Sequence, residues 1–295
     1  GPEAGVRACA RVRVAKACGR ALTGERAVAD STSGGNRNLY TFRTGRNPSQ
    51  DAIGIAVALG GENVKIATLA QDYAFGRDGV SAFKDALEGS GAELVFEEYV
   101  PTDTQDFTAS AQRIFDALKD EDGRKFLFVI WAGGNNPIGK IKAMAPERFD
   151  IEIATGGNIL AAMAAYKDLP GMEGATYYYY EIPENPMNDW LVKEHQARYG
   201  QPPDFFTAGG MAAGLAIVEA IKATGGSTET DDLIAAMEGM EFETPKGKMM
   251  FRKEDHQALQ SMYHFKIRVE DDVAWGIPEL VRELKIEDMD IPVRN

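Results

Sequence analysis

Residues 64–100, VKIATLAQDYAFGRDGVSAFKDALEGSGAELVFEEYV, read as strand, loop, helix, glycine break and second strand within one short unit. Residues 64–70 show no polar alternation beyond Lys65, as expected of a strand covered on both faces. Val80, Phe83 and Leu87 then recur at i, i+3 and i+7, one stripe of a helix that can lie back on a sheet, and Gly89 and Gly91 end it. This is a βαβ unit. A right-handed crossover between its parallel strands puts the loop 71–77 at the carboxyl edge of the sheet, where open α/β folds bind ligands.

Outward from this unit the alternation continues. Residues 40–43 predict a short strand, and 49–59 a helix buried through Ile53, Ile55 and Val57. Pro101 stops the second strand of the central unit, and Asp106 is placed to cap a helix whose face carries Phe107, Ala111, Ile114, Phe115 and Leu118. Strands follow at 126–131 and 151–154, with a short helix at 138–144 between them. Strands alternating with helices predict an α/β fold with a doubly wound, mainly parallel sheet. Residues 175–180 add a strand. Helices follow near 187–199, 205–223 and 231–240, then a hairpin in which Met249 and Phe251 face Tyr263, Phe265, Ile267 and Val269 around the polar turn 252–257. Residues 278–284 read as a terminal helix.

A chain of 295 residues fits two lobes of ordinary size, and 44% hydrophobic with 26% charged residues is the composition of a soluble globular protein. The net charge of −13 disfavours nucleic acid and anionic membranes as partners. The apolar stretch 205–221 is interrupted by Gly209, Gly210, Gly214 and Glu219, which predicts a packed helix and not a membrane span. No basic region followed by an apolar one opens the sequence, so an export signal is expected to have been removed or to lie outside it. Residues 1–35 differ from the rest: Arg7, Arg11, Arg13, Arg20 and Arg26 crowd them together with Cys9 and Cys18, with no persistent period. The two cysteines lack CxxC or metal spacing and read as incidental, a disulfide being open to an exported chain.

Three candidate loops sit at strand ends. They contain Asp72, Tyr73 and Phe75; Gly133, Gly134, Asn135 and Asn136; and Gly156, Gly157 and Asn158. Glycines admit a ligand to the backbone, asparagines supply donor and acceptor, and helix N-termini offer free N–H groups to an anion. The run 134–140, GNNPIGK, satisfies GxxxxGK after a strand, but Ile141 stands where a nucleotide hydrolase needs Ser or Thr for magnesium, and Pro137 removes a backbone donor. His195, His256 and His264 lack metal spacing, and no GxSxG or GxGxxG occurs. His195, beside Lys193 and Glu194, reads as a solvated side chain, and Met249 and Met250 as core.

The run 65–114, with YTFRTGRNPSQDA at 40–52, ATYYYYEIPENP at 175–186 and PKGKMMFRKEDHQALQSMYHFKI at 245–267, resembles the leucine/isoleucine/valine-binding family of ABC transporters, periplasmic proteins of the type I binding fold. The resemblance covers roughly residues 27–269 and lacks the family's opening βαβ units, so the first lobe is expected to be incomplete at its N-terminus. It implies two doubly wound α/β lobes joined by a hinge of three strands: lobe I from residues 1–42 and 184–245, lobe II from 43–183 and 246–295. It implies capture of a small polar or amino-acid-like solute between two closing lobes, delivery to a membrane permease, no catalysis, no cofactor and a periplasmic or lipid-anchored extracytoplasmic location. By position it implies ligand contacts from Ala27, Ala29 and Ser31 of a hydroxyl-bearing gripping segment, and from Tyr73, Phe75, Asn135, Gly157 and Asn158. The stretch before residue 24 is expected to be a frame-shifted reading of a normal helix and strand. Two departures stand out. The threonine of the gripping segment falls at Ala29, and the acid that meets an α-ammonium falls at Gly157 or Asn158, leaving Asp30 and Glu181 as the acids able to replace it. The implied ligand is therefore a small carboxylate or amide, aromatic in one version, in place of a branched-chain amino acid. The competing readings are a nucleotide-using enzyme acting through 134–140 and the ligand-sensing domain of a receptor.

Overall fold

Val64–Gln71 and Glu93–Val100 are parallel strands joined by the helix Ala74–Ala86 in the computed structural model, which describes residues 22–24, 39–132 and 134–293. The readings at Cys9, Cys18 and residues 1–21, and at Ala27, Ala29, Asp30, Ser31 and Gly133, lie outside the described residues. Two compact units are present: one is Pro48–Thr176 with Met262–Glu283, the other the described residues up to Asn47 with Tyr177–Ser261 and those from Leu284 onward.

In chain order the second-named unit opens with β1 (Leu22–Gly24) and β2 (Thr41–Arg43). The other unit then runs α1 (Pro48–Leu59), β3 (Val64–Gln71), α2 (Ala74–Ala86), β4 (Glu93–Val100), α3 (Thr108–Leu118), β5 (Arg124–Ile130), α4 (Ile138–Lys142), β6 (Ile151–Thr155), α5 (Leu160–Met163) and β7 (Glu173–Thr176). Its main sheet is parallel, in the order β4-β3-β5-β6. Ile66 and Ala70 of β3 join Val80 and Phe83 of α2 and Phe126, Phe128 and Ile130 of β5 in one core, with the Phe83 and Phe128 rings 4.7 Å apart. Ala67 and Leu69 point the other way and are buried too, so the largely apolar run of β3 reflects burial on both faces. The α3 face from Phe107 to Leu118 is buried as predicted, and Asp106 Oδ1 accepts from the Thr108 N–H (2.9 Å) at its start.

Several expectations are corrected. Helix α1 buries Ala52, Ile55, Ala56 and Leu59, so Ile55 is buried as predicted, whereas Ile53 is half-buried and Val57 exposed, because the buried face follows the i, i+3, i+4, i+7 positions from Ala52. The strand expected over 175–180 ends at Thr176, where its partner runs out. Residues 278–284 are not a helix: β12 (Ile277–Leu284) is the edge of a sheet ordered β12-β11-β7, with β11 at Met262–Arg268. Pro278 is tolerated there because an edge strand can leave an N–H unpaired. Tyr263, Phe265 and Ile267 alternate as predicted, but Tyr263 and Phe265 pair with Thr176 and Gly174 of β7 and the Ile267 N–H donates to the Met172 carbonyl just before it, so the strand does not pair with Met249 and Phe251.

The remaining unit carries α6 (Pro186–Tyr199), α7 (Phe205–Ala223), α8 (Thr230–Met237), β8 (Glu241–Thr244), β9 (Gly247–Phe251) and β10 (Ala258–Leu259). The turn 252–257 joins β9 to β10 in the antiparallel sheet β10-β9-β8. This pairing places residues 246–261 with β8 in this unit, whereas the expected lobe II held everything from 246 on. Among the described helices, α7 is long and apolar enough to cross a membrane by length and composition. Its Ala212, Ala216 and Ala220 pack on Phe42, Phe242, Met249 and Phe251, so one face of it forms this unit's core.

In the same unit His256 is buried at a backbone φ of 56°, its ring stacked on Phe42 at 3.9 Å. Its Nδ1 lies 3.2 Å from the Thr41 carbonyl oxygen and its Nε2 3.2 Å from Glu238 Oε1. The His256 hydrogen bond, with help from Lys253, holds the Glu238 carboxyl below the ordinary carboxylate range. A carboxyl lowered by folding contributes stability that is complete above its unfolded pKa and is lost as pH falls through its folded one. Urea midpoints measured from pH 7 down to pH 3 are expected to fall less steeply at the acid end for Glu238→Gln than for the parent protein, and parallel curves would contradict this.

Candidate functional site

Because β3, β5 and β6 are parallel neighbours, the loops after them emerge side by side at one sheet edge. The Gln71 side chain ties two of them: its Oε1 accepts from the Ala132 N–H at 3.0 Å. Tyr73 immediately precedes α2, and its ring centroid lies 5.9 Å from that of Phe75. Both rings are half-buried; burial pushes the Tyr73 phenol up, and Phe75 packs partly on the core under α2. Gly76 follows because the backbone doubles back, and a Cβ there would sit 2.0 Å from the Gln71 carbonyl oxygen.

In the second loop Asn135 has a left-handed φ of 53°. Both ends of its amide are engaged: Nδ2 donates to the Thr104 carbonyl, and Oδ1 accepts from Lys140 Nζ at 2.9 Å. Asn136 Oδ1 accepts from the Ile138 N–H at 3.0 Å and starts α4. Trp131 Nε1 donates to the Gly134 carbonyl (3.1 Å), and the Trp131 ring meets Phe107 edge-on at 5.4 Å. Lys140, the lysine of the GxxxxGK run, also donates to the Gln105 carbonyl at 2.7 Å. With its lysine on two protein oxygens and a following helix of only five residues, this run is not arranged as a phosphate cradle.

The third loop is fixed from behind. The Gly157 N–H donates to the Ala175 carbonyl (2.8 Å), and a Cβ at 157 would lie 2.2 Å from Thr176 Oγ1 and 2.4 Å from Thr176 Cβ. Asn158 Oδ1 accepts from the Ile159 N–H at 2.9 Å. Tyr166, which the sequence did not single out, is fully buried and donates its hydroxyl to the Gly156 carbonyl at 3.1 Å. Burial pushes its phenol up to about 12, partly offset by the Thr155 and Asn158 side chains. A lone tyrosine in an apolar stretch carries no sequence signal for such a role.

Tyr73, Phe75, Asn135, Gly157 and Asn158 thus fall on three adjoining loops of one unit. What these loops offer is a pair of aromatic rings, exposed glycine backbone and amide groups. They carry one acid, Asp72, which already holds Arg77 Nε at 2.7 Å. Among the described residues no group of three or more His, Cys, Asp or Glu is placed to hold a metal ion. His195 is half-buried on α6, with Nδ1 2.7 Å from the Gln201 carbonyl oxygen.

The profile of a family described as periplasmic binding protein matches residues 7–272. The structure is similar to the crystal structure of an ABC-type branched-chain amino acid transporter protein from Rhodopseudomonas palustris, with a TM-score of 0.90 and 64% identity over 96% of this chain and 76% of that one. It is also similar to an ABC transporter solute-binding protein of the same species solved in complex with 3,4-dihydroxybenzoic acid, at TM-score 0.75 and 27% identity over 95% and 76% of the two chains. A curated relative, the Leu/Ile/Val-binding protein homolog 6 of Brucella melitensis, is 29% identical over 80% of this chain, which spans only 61% of that relative's length.

Proposed function

This chain belongs to the periplasmic binding protein family, and from that premise we propose that it is the solute-binding component of an ABC importer, acting outside the cytoplasm and delivering its solute to a membrane permease. The observation that carries the reading is the run of three loops at one edge of a parallel sheet, holding Tyr73, Phe75, Asn135, Gly157 and Asn158. Open α/β sheets bind ligands at this edge, and the residue types there suit hydrogen bonding and ring stacking without a nucleophile or a poised general base. A relative solved with its ligand is a solute-binding protein, which supports binding without turnover.

The solute proposed is a small carboxylate or amide with a flat apolar body. Tyr73 and Phe75 supply a wall for such a body, and the relative solved with an aromatic acid lends the choice support. Differential melting with benzoate, benzamide, butyrate, leucine and ATP with magnesium tests the proposal. Stabilisation by the first three is expected, and a shift with ATP and magnesium alone would replace the binding-protein reading by a nucleotide-using one. Phe75→Ala is expected to weaken binding of an aromatic acid by about 1–2 kcal/mol, roughly 5- to 30-fold, if the ring stacks on the solute. Unchanged affinity in calorimetry would remove Phe75 from the site.

A further inference from the structure

The GNNPIGK run is not arranged as a phosphate cradle, yet its lysine joins two loops. Lys140 Nζ lies between two loops that the sequence keeps 31 to 35 residues apart: it donates to the Gln105 carbonyl (2.7 Å) after β4 and to Asn135 Oδ1 (2.9 Å) after β5. It also stands 5.3 Å from the centre of the Phe107 ring, and its charge acts on the Asp106 carboxylate. Asn135 closes the junction in the other direction by donating Nδ2 to the Thr104 carbonyl. The left-handed backbone at Asn135 is one that asparagine adopts more readily than other non-glycine residues.

We propose that Lys140 is a positioning residue that bolts the loop after β4 to the loop after β5 and so presets the glycine–asparagine loop for the solute. The proposal rests on the solute-binding reading. An ammonium suits the task because it has three donors and no acceptor, so it gathers carbonyl and amide oxygens from separate segments and leaves one donor over. Its bond to Oδ1, with the Nδ2 bond to Thr104, also fixes which way the Asn135 amide faces, a choice that a solvated asparagine would not make. Together with Gln71, which ties the loops after β3 and β5, and Tyr166, which holds the loop after β6, Lys140 leaves the binding edge preset before any solute arrives. Presetting lowers the ordering cost of binding, so its loss weakens affinity without removing a ligand contact.

The test compares the parent protein with Lys140→Met and Lys140→Arg. In ligand-free protein, Lys140→Met is expected to speed amide hydrogen exchange in peptides covering 103–107 and 131–136 while leaving β3 unchanged. Titration with benzoate, benzamide and butyrate is expected to show about tenfold weaker binding for Lys140→Met, with a larger unfavourable entropy, and recovery of most of the loss in Lys140→Arg. Melting temperature should hardly move, since Lys140 is exposed. Unchanged exchange in both loops overturns the proposal, as does parent-like affinity in Lys140→Met for a solute that the parent binds. Failure of the parent protein itself to bind any of the three would refute the solute reading instead, and the exchange comparison would still decide whether Lys140 joins the loops.

Discussion

Gly157→Asp is expected to lower stability by about 3 kcal/mol and to confer no binding of leucine. This substitution places an acid where the resemblance to amino-acid-binding proteins expects one, and the backing of the loop forbids it. Any Cβ at 157 meets Thr176 Oγ1 at 2.2 Å and Thr176 Cβ at 2.4 Å, and rotation of the threonine relieves only the first. Thr176 is buried and lies in β7 opposite Tyr263 of β11, so it has no room to retreat. The Gly157 N–H is committed to the Ala175 carbonyl, which ties the loop to the same strand. A carboxylate at 157 would thus force the loop off β7, and a displaced loop cannot present the acid where an ammonium needs it. Urea denaturation measures the first effect and calorimetry with leucine the second. The double variant Gly157→Asp, Thr176→Gly should regain part of the lost stability, because it removes both clashing atoms. A parent-like urea midpoint for Gly157→Asp would show that the clash is not what keeps glycine at this position.

The central unit was legible because its signal is local. Residues 64–70 are apolar apart from Lys65 and Thr68, and 80–87 follow helical spacing, so strand, helix and the loop edge follow without knowledge of the partners. The late chain was less so. Alternation over 262–268 announces a strand, but it cannot say that the partner is β7, some ninety residues earlier, and not β9 just upstream. Leu280, Val281 and Leu284 can be read as a helical stripe until β11 pairs with them, and tertiary pairing overrides a weak local preference.

At the site the same division holds. Glycine and asparagine after parallel strands mark the edge, and Tyr73 and Phe75 lie on it. The partners of those residues were not legible. Asn135 as a letter suggests a free amide for a ligand, while the structure engages both its ends. The glycine at 157 reads as permission for a ligand to approach, yet it is equally a requirement set by Thr176 behind it. Tyr166 and Lys140 gain their roles only from contacts to carbonyls that no side-chain pattern encodes.

Benzoate is expected to bind at least about a hundredfold more tightly than leucine, isoleucine or valine. An α-amino acid brings a permanent ammonium into a site that must exclude water to hold its solute. Leaving such a charge without a carboxylate partner costs several kcal/mol, enough to erase useful affinity. The three candidate loops offer it no free acid: Asp72 already pairs with Arg77, Gly157 has no side chain and no room for one, and Asn158 is neutral. Asn158 and the backbone carbonyls can accept hydrogen bonds from an ammonium, but they do not neutralise it. A carboxylate or amide head makes no such demand. It is served by backbone N–H groups of the glycine-containing loops, while a flat apolar body has the Tyr73 and Phe75 rings for company. Calorimetry at pH 7 with benzoate and the three amino acids measures the ratio directly. Submicromolar binding of any of the three, with no response to benzoate, benzamide or butyrate, would mean that an acid elsewhere in the chain meets the ammonium and that the inference from Gly157 and Asn158 is wrong.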